Sequence, residues 1–205
     1  VLDRGSGEER RALVGWLAAN GSPLDADLLA PIERLAAQSL HPELRASALA
    51  MLTRMRHLPA LELAAKALRS EHAVEVAEGM RSALTIGGAG MRLALEAHLR
   101  AETDAVLQGV MLRAYAAPPS TELAELCARL AADAGRPAEL RIAAATTLSR
   151  ADAERAAPLL RSLFQQTDRP VCLLELATAL QRGLPAPPQL ARLMPGPVDL
   201  RQQDA

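Results

Sequence analysis

The sequence predicts an all-α protein, a solenoid of about five helical hairpins, and three observations carry that reading. Helix formers dominate: Ala, Leu, Arg, Glu and Gln are abundant, β-branched and aromatic residues are scarce, and no run alternates cleanly with period two. Apolar residues recur at helical spacing, in Leu44, Ala48, Leu49 and Leu52 and again in Leu140, Ala144, Ala145 and Leu148. Turn chemistry interrupts these stripes at short intervals, at Asn20-Gly21-Ser22-Pro23, His41-Pro42, Gly87-Gly88-Ala89-Gly90, Pro118-Pro119-Ser120, Gly135-Arg136-Pro137 and Arg169-Pro170. The segments between them have room for helices of about 10–15 residues joined by tight connections.

Composition bounds what such a chain does. Half of its 205 residues are hydrophobic, which provides a core and excludes disorder. Basic residues (23) and acidic residues (24) nearly cancel, so no global field recruits nucleic acid or an anionic membrane surface. Two cysteines do not make a disulfide framework. No stretch reaches the ~20 apolar residues that a bilayer demands, so membrane insertion is not expected. Residues 1–7 lack the apolar centre of a secretory leader, and a start at Val1 rather than Met is what a processed chain or a fragment would show.

In chain order, residues 1–21 read as a linker followed by a capping helix over 8–19, with Trp16 as a plug over the first repeat. The repeat array spans 22–183 in units 22–56, 57–87, 88–117, 118–150 and 151–183. The second helices align on Leu-Arg-x-x-Ala-x-x-x-Leu, clear at Leu44, Arg45, Ala48, Leu52 and at Leu140, Arg141, Ala144, Leu148. Weaker copies run through Val76, Met80, Leu84 and through Val106, Val110, Ala114. The anchors Leu52, Leu84, Ala114, Leu148 and Leu180 fall 32, 30, 34 and 32 residues apart, a period that holds two short helices. The first helices carry Pro31, Pro59 and Pro158, expected in a first turn, where a missing N–H costs nothing. Residues 184–205 read as a cap fragment, with a partial helix at 187–194, and a Pro-rich tail.

The paired helices, the proline of the first and the Leu-Arg-x-x-Ala-x-x-x-Leu pattern of the second resemble HEAT repeats. The period is similar to the short bacterial kind that includes the phycobilisome-lyase-like group. The resemblance covers roughly 22–183 and is strongest in the first and fourth units. It implies a right-handed α–α superhelix, and an acidic turn partner for Arg45 and Arg141. Tetratricopeptide repeats are the competing architecture, but their Trp/Gly/Tyr pattern does not recur here.

Chemistry-bearing motifs are sparse, and no catalytic residue, metal or cofactor is expected. His41, His57, His72 and His98 lie in four segments, and Cys127 and Cys172 have no partner at zinc spacing. Gly87-Gly88-Ala89-Gly90 lacks the Lys-Ser/Thr of a phosphate loop and reads as an interhelix turn needing positive φ. Cys127 reads as a buried apolar residue, and Glu122 and Glu125 as a solvated face. The arginines alternate with acids, and Trp16, Tyr115 and Phe164 are too few for a stacking platform, so nucleic-acid binding is not expected.

Function is then expected on the concave face lined by second helices. One residue past the anchors stand Thr53, Thr85, Tyr115, Ser149 and Gln181; Ser82, Thr146 and Thr178 stand two residues before three of them. These make a shallow polar groove for a protein or peptide partner, with Tyr115 as its hot spot. A non-enzymatic interaction scaffold is the first expectation. An enzyme of the HEAT-like lyase or glycosylase kind, using a groove carboxylate, and a purely structural spacer or assembly domain are the alternatives.

Overall fold

The computed structural model describes residues 26–183, and among these it is all-helical, with nine helices and no strand. The helices are α1 (Ala26–Gln38), α2 (Pro42–Arg54), α3 (Ala60–Ala67), α4 (Ala73–Ala101), α5 (Ala105–Ala114), α6 (Thr121–Ala132), α7 (Ala138–Leu148), α8 (Ala153–Gln166) and α9 (Pro170–Gly183). The capping helix 8–19 with Trp16 and the partial helix 187–194 lie outside the described residues. No described helix is long and apolar enough to cross a membrane.

Local chemistry sets the helix ends. Pro42 opens α2 at a position where its missing N–H has no intrahelical partner. Asp104 caps α5 by accepting from the N–H groups of Val106 (2.8 Å) and Leu107 (3.0 Å). Ser120 does the same for α6 through Leu123 (3.3 Å), and Asp152 for α8 through Arg155 (2.9 Å). Two first helices depart from expectation. Pro31 and Pro158 lie inside α1 and α8, each the sixth residue, because the helix begins more than a turn before the proline. Only Pro59, at the N-cap of α3, sits at a helix start as the sequence suggests.

The apolar stripes become the core. Leu44, Ala48, Leu49 and Leu52 on α2 and Leu140, Ala144, Ala145 and Leu148 on α7 are all buried. Of the anchors, Leu52, Ala114 and Leu148 are buried, while Leu84 and Leu180 are partly covered. Every packed pair of helices is one or two places apart in chain order, so α7 touches α5, α6, α8 and α9 but nothing earlier. Burial of eight of the eleven α7 residues follows from that crowding.

The run Ala73–Ala101 contains one residue outside helical geometry, Gly88 (φ 66°, ψ −161°), where two helices meet without a loop. The glycine cluster supplies the turn, as its composition suggests, through one residue. At Gly79 the first half of α4 crosses α3 so closely that a Cβ would lie 2.9 Å from the Ala64 carbonyl oxygen.

Polar ties repeat at the spacing of the anchors. Arg45 grips Glu75 with two bonds (Nε 2.5 Å, Nη2 2.8 Å), and Arg155 grips Glu125 likewise (Nη1 2.5 Å, Nη2 2.9 Å). Arg169 pairs with Glu139, His98 reaches the Leu68 carbonyl, and Thr147 and Arg150 donate to the carbonyls of Leu112 and Tyr115. Each tie joins positions 30 or 35 residues apart. Arg45 thus has an acidic partner, though in the first turn of α4 rather than in its own turn. Arg141 has none among the described residues: it donates to the Ala131 carbonyl (3.2 Å) and the Gln166 amide oxygen (3.4 Å).

Two glycines two residues apart are expected to respond oppositely to alanine. Gly88→Ala places a Cβ in backbone space that is essentially restricted to glycine, at a cost of about 1–3 kcal/mol. Gly90→Ala, in helix with open space around it, gains about 0.5–1 kcal/mol. Urea denaturation of the two variants measures both signs.

Candidate functional site

A cleft of about 400 Å³ opens between α7 and α9. Ala143, Thr146 and Thr147 of α7 and Ala179 of α9 line it, together with Val171 and Leu174. These last two are 79% and 71% exposed, which leaves a patch of aliphatic surface facing water. Arg113, Arg150, Glu175 and Thr178 complete the lining. Arg113 reaches from α5 past α7 to Glu175 of α9 (Nε to the two carboxylate oxygens, 3.2 and 3.3 Å) and donates from Nη2 to the Glu139 carbonyl (3.0 Å).

Thr146 is the unusual group here. It is 8% exposed, lines the cleft, and its Oγ1 has no hydrogen-bond partner among the described residues. Three other helical threonines spend the hydroxyl on the carbonyl four residues back, Thr53 on Leu49, Thr85 on Arg81 and Thr178 on Leu174, each at 2.8 Å, and Thr147 spends its own on Leu112. A buried hydroxyl without a partner costs about 1–3 kcal/mol.

The polar row expected from the sequence separates into two sets. Thr146 and Thr178 meet in the cleft. Thr53 and Ser82 are buried and bond to each other (2.7 Å), and Ser149 is buried with its hydroxyl on the Thr146 carbonyl (2.8 Å). Thr85 is exposed, away from the cleft lining, and the Gln181 side chain lies outside the described residues. Tyr115, expected as a groove hot spot, is 0% exposed and belongs to the core. The reason is that its hydroxyl finds a partner inside: it donates to Glu96 Oε1, so the whole side chain can leave water.

That buried pair is a structural device. Glu96 also accepts from the Ser120 backbone N–H (3.1 Å) and has Arg92 Nε at 3.8 Å. Burial by itself would raise the Glu96 pKa, but the Ser120 and Tyr115 hydrogen bonds and the Arg92 charge outweigh it and hold the carboxyl below its usual range. Burial, reinforced by Glu96, pushes the Tyr115 phenol well above its usual value. Cys127 is buried too, and burial raises its thiol to about 12, so it packs as an inert apolar group. Glu122 and Glu125, read as a solvated face, pair across the surface with Arg100 and Arg155.

A second cavity, of about 220 Å³, lies among α1, α2 and α3 and is lined in part by Arg45, Lys66 and Glu75. Two of these charges are engaged with each other: Arg45 bonds Glu75, which also accepts from Ser70 Oγ (2.5 Å). It offers a ligand less than the α7–α9 cleft does. Among the described residues no group of three or more His, Cys, Asp or Glu is arranged to hold a metal. No family model matches this chain, and no curated protein or solved structure matches it.

Val171, Leu174, Arg113 and Arg150 escaped the sequence reading. Val171-Cys172-Leu173-Leu174 is apolar on every side of α9, so periodicity does not tell which side is covered. Apolarity beyond one stripe was the available signal.

Two variants probe these groups. Glu96→Gln is expected to lower stability by about 1–3 kcal/mol at pH 7 through loss of charge-assisted bonds. Because the Glu96 pKa is depressed on folding, its contribution is full above the unfolded carboxyl value of about 4.3 and is lost as pH falls through the folded value. Urea titrations at pH 7 and pH 3 should therefore show the gap between wild type and variant shrinking in acid. Thr146→Val removes the unpartnered hydroxyl at nearly constant volume, and calorimetry should find its melting temperature equal to or above that of the wild type.

Proposed function

We propose that this chain is a short HEAT-like repeat array acting as a non-enzymatic scaffold that holds a protein partner on its second-helix face. Several observations support the architecture. Dividing α4 at Gly88 leaves ten helical segments among the described residues, the number that five hairpins would need, and polar ties recur at 30 or 35 residues. Helices that pack only on near neighbours are what stacked repeats produce, and a right-handed superhelix is the arrangement the HEAT resemblance implies.

The α7–α9 cleft carries the functional reading. Exposed Val171 and Leu174, in a cleft that Thr146 and Thr178 also line, form an aliphatic surface left uncovered among the described residues. Burying one such aliphatic side chain contributes about 1.5–3 kcal/mol, enough for two of them to make a hot spot.

The test is affinity capture with three immobilised proteins: wild type, Leu174→Glu, and Leu40→Glu as a control at a residue that is 91% exposed in the α1–α2 turn. A partner retained by wild type and Leu40→Glu but lost by Leu174→Glu is the expected result. Partners indifferent to Leu174→Glu would overturn the assignment of this cleft.

A further inference from the structure

We propose that the described chain is two blocks, residues 26–87 and 88–183, which swing against each other about Gly88. The distribution of directional ties carries the inference. Across the boundary at residues 56 and 57, Arg45 grips Glu75 with two bonds and Thr53 bonds Ser82 (2.7 Å). Across the one at 117 and 118, Thr147 and Arg150 donate to the carbonyls of Leu112 (3.1 Å) and Tyr115 (2.5 Å), and Arg100 pairs with Glu122. Across the one at 150 and 151, Arg155 grips Glu125 with two bonds and Arg169 pairs with Glu139. The boundary at 87 and 88 differs. Among the described residues no ion pair crosses it, and one side-chain hydrogen bond does, between His98 Nε2 and the Leu68 carbonyl at 3.3 Å.

Apolar packing remains there: Val76 and Met80 on one side and Leu95 and Leu99 on the other belong to one buried cluster. Such burial is non-directional, so it opposes separation of the blocks more than their rotation. A bidentate ion pair, by contrast, fixes orientation as well as distance. The covalent connection is equally permissive. Gly88 has no Cβ, so its torsions change at little steric cost, and no other segment lies within 4 Å of where a Cβ would stand. Each block is tied internally. Gly79 seats the first half of α4 against the Ala64 backbone, and Arg113 reaches over α7 to Glu175. Two tied bodies joined by one loose contact are what domain-type swinging needs.

Double electron–electron resonance on the full chain tests the idea, with spin labels introduced as unnatural amino acids so that the buried Cys127 and Cys172 stay native. All four label sites are exposed. One pair, at Glu62 and Arg129, spans the boundaries at 87/88 and 117/118. The other, at Leu93 and Arg161, spans those at 117/118 and 150/151. The shared boundary cancels in the comparison, and circular dichroism checks that both labelled chains keep the wild-type helix content. The distance distribution of the first pair should be about twofold wider than that of the second. Equal widths, or a wider second pair, overturn the proposal.

Discussion

The α7 helix shows the constraint on which the rest of the molecule depends. With eight of its eleven residues buried, it has almost no side of its own to show to water. It is stable only because α5, α6, α8 and α9 lie around it. Ala143, Ala144 and Ala145 make that crowding possible, since a methyl group lets a neighbouring backbone approach where a longer side chain would hold it off. The abundance of Ala and Leu and the near-absence of aromatics follow from the same requirement. Small residues set the distance between helices and leucines fill the seams, leaving little space for a ring.

Charge is organised to the same period. Lys66 is the sole lysine, and arginine supplies every other basic side chain. The structure shows what the planar guanidinium does here. Arg45 and Arg155 each clasp a carboxylate with two parallel bonds across 30 residues, a geometry that an ammonium group does not reproduce. The partly buried Arg45–Glu75 pair, which also draws in the Ser39 carbonyl and the Ser70 hydroxyl, is the more consequential of the two. The Arg155–Glu125 pair lies in solvent and contributes little to stability.

Much of the architecture was legible because helical periodicity is a local property. The stripes on α2 and α7, the turn at Gly88 and the inert burial of Cys127 could all be read from neighbouring letters. The candidate site was harder, because which side of a helix stays uncovered depends on elements far along the chain. Thr53, Ser82 and Tyr115 look like groove residues by position, yet each has an internal partner, at Ser82, Thr53 and Glu96 respectively, that sequence spacing does not reveal. Thr146 and Thr178 occupy comparable positions and do line the cleft. Nothing in the sequence sets Val171 and Leu174 apart, because valine and leucine are residue types that are normally buried. The prolines depart in the other direction: Pro31 and Pro158 lie inside a helix, not at its beginning.

The junction at Gly88 has a mechanical meaning. Where two helices are joined by several residues, each can swing on its own; here they share a hinge pin one residue long. That pin has only two soft torsions, so its geometry sets the direction in which the second helix leaves the first. A small twist there would be carried as a lever arm through both flanking helices and everything leaning on them. The direction of the chain between these two helices is thus set at one position that has no side chain.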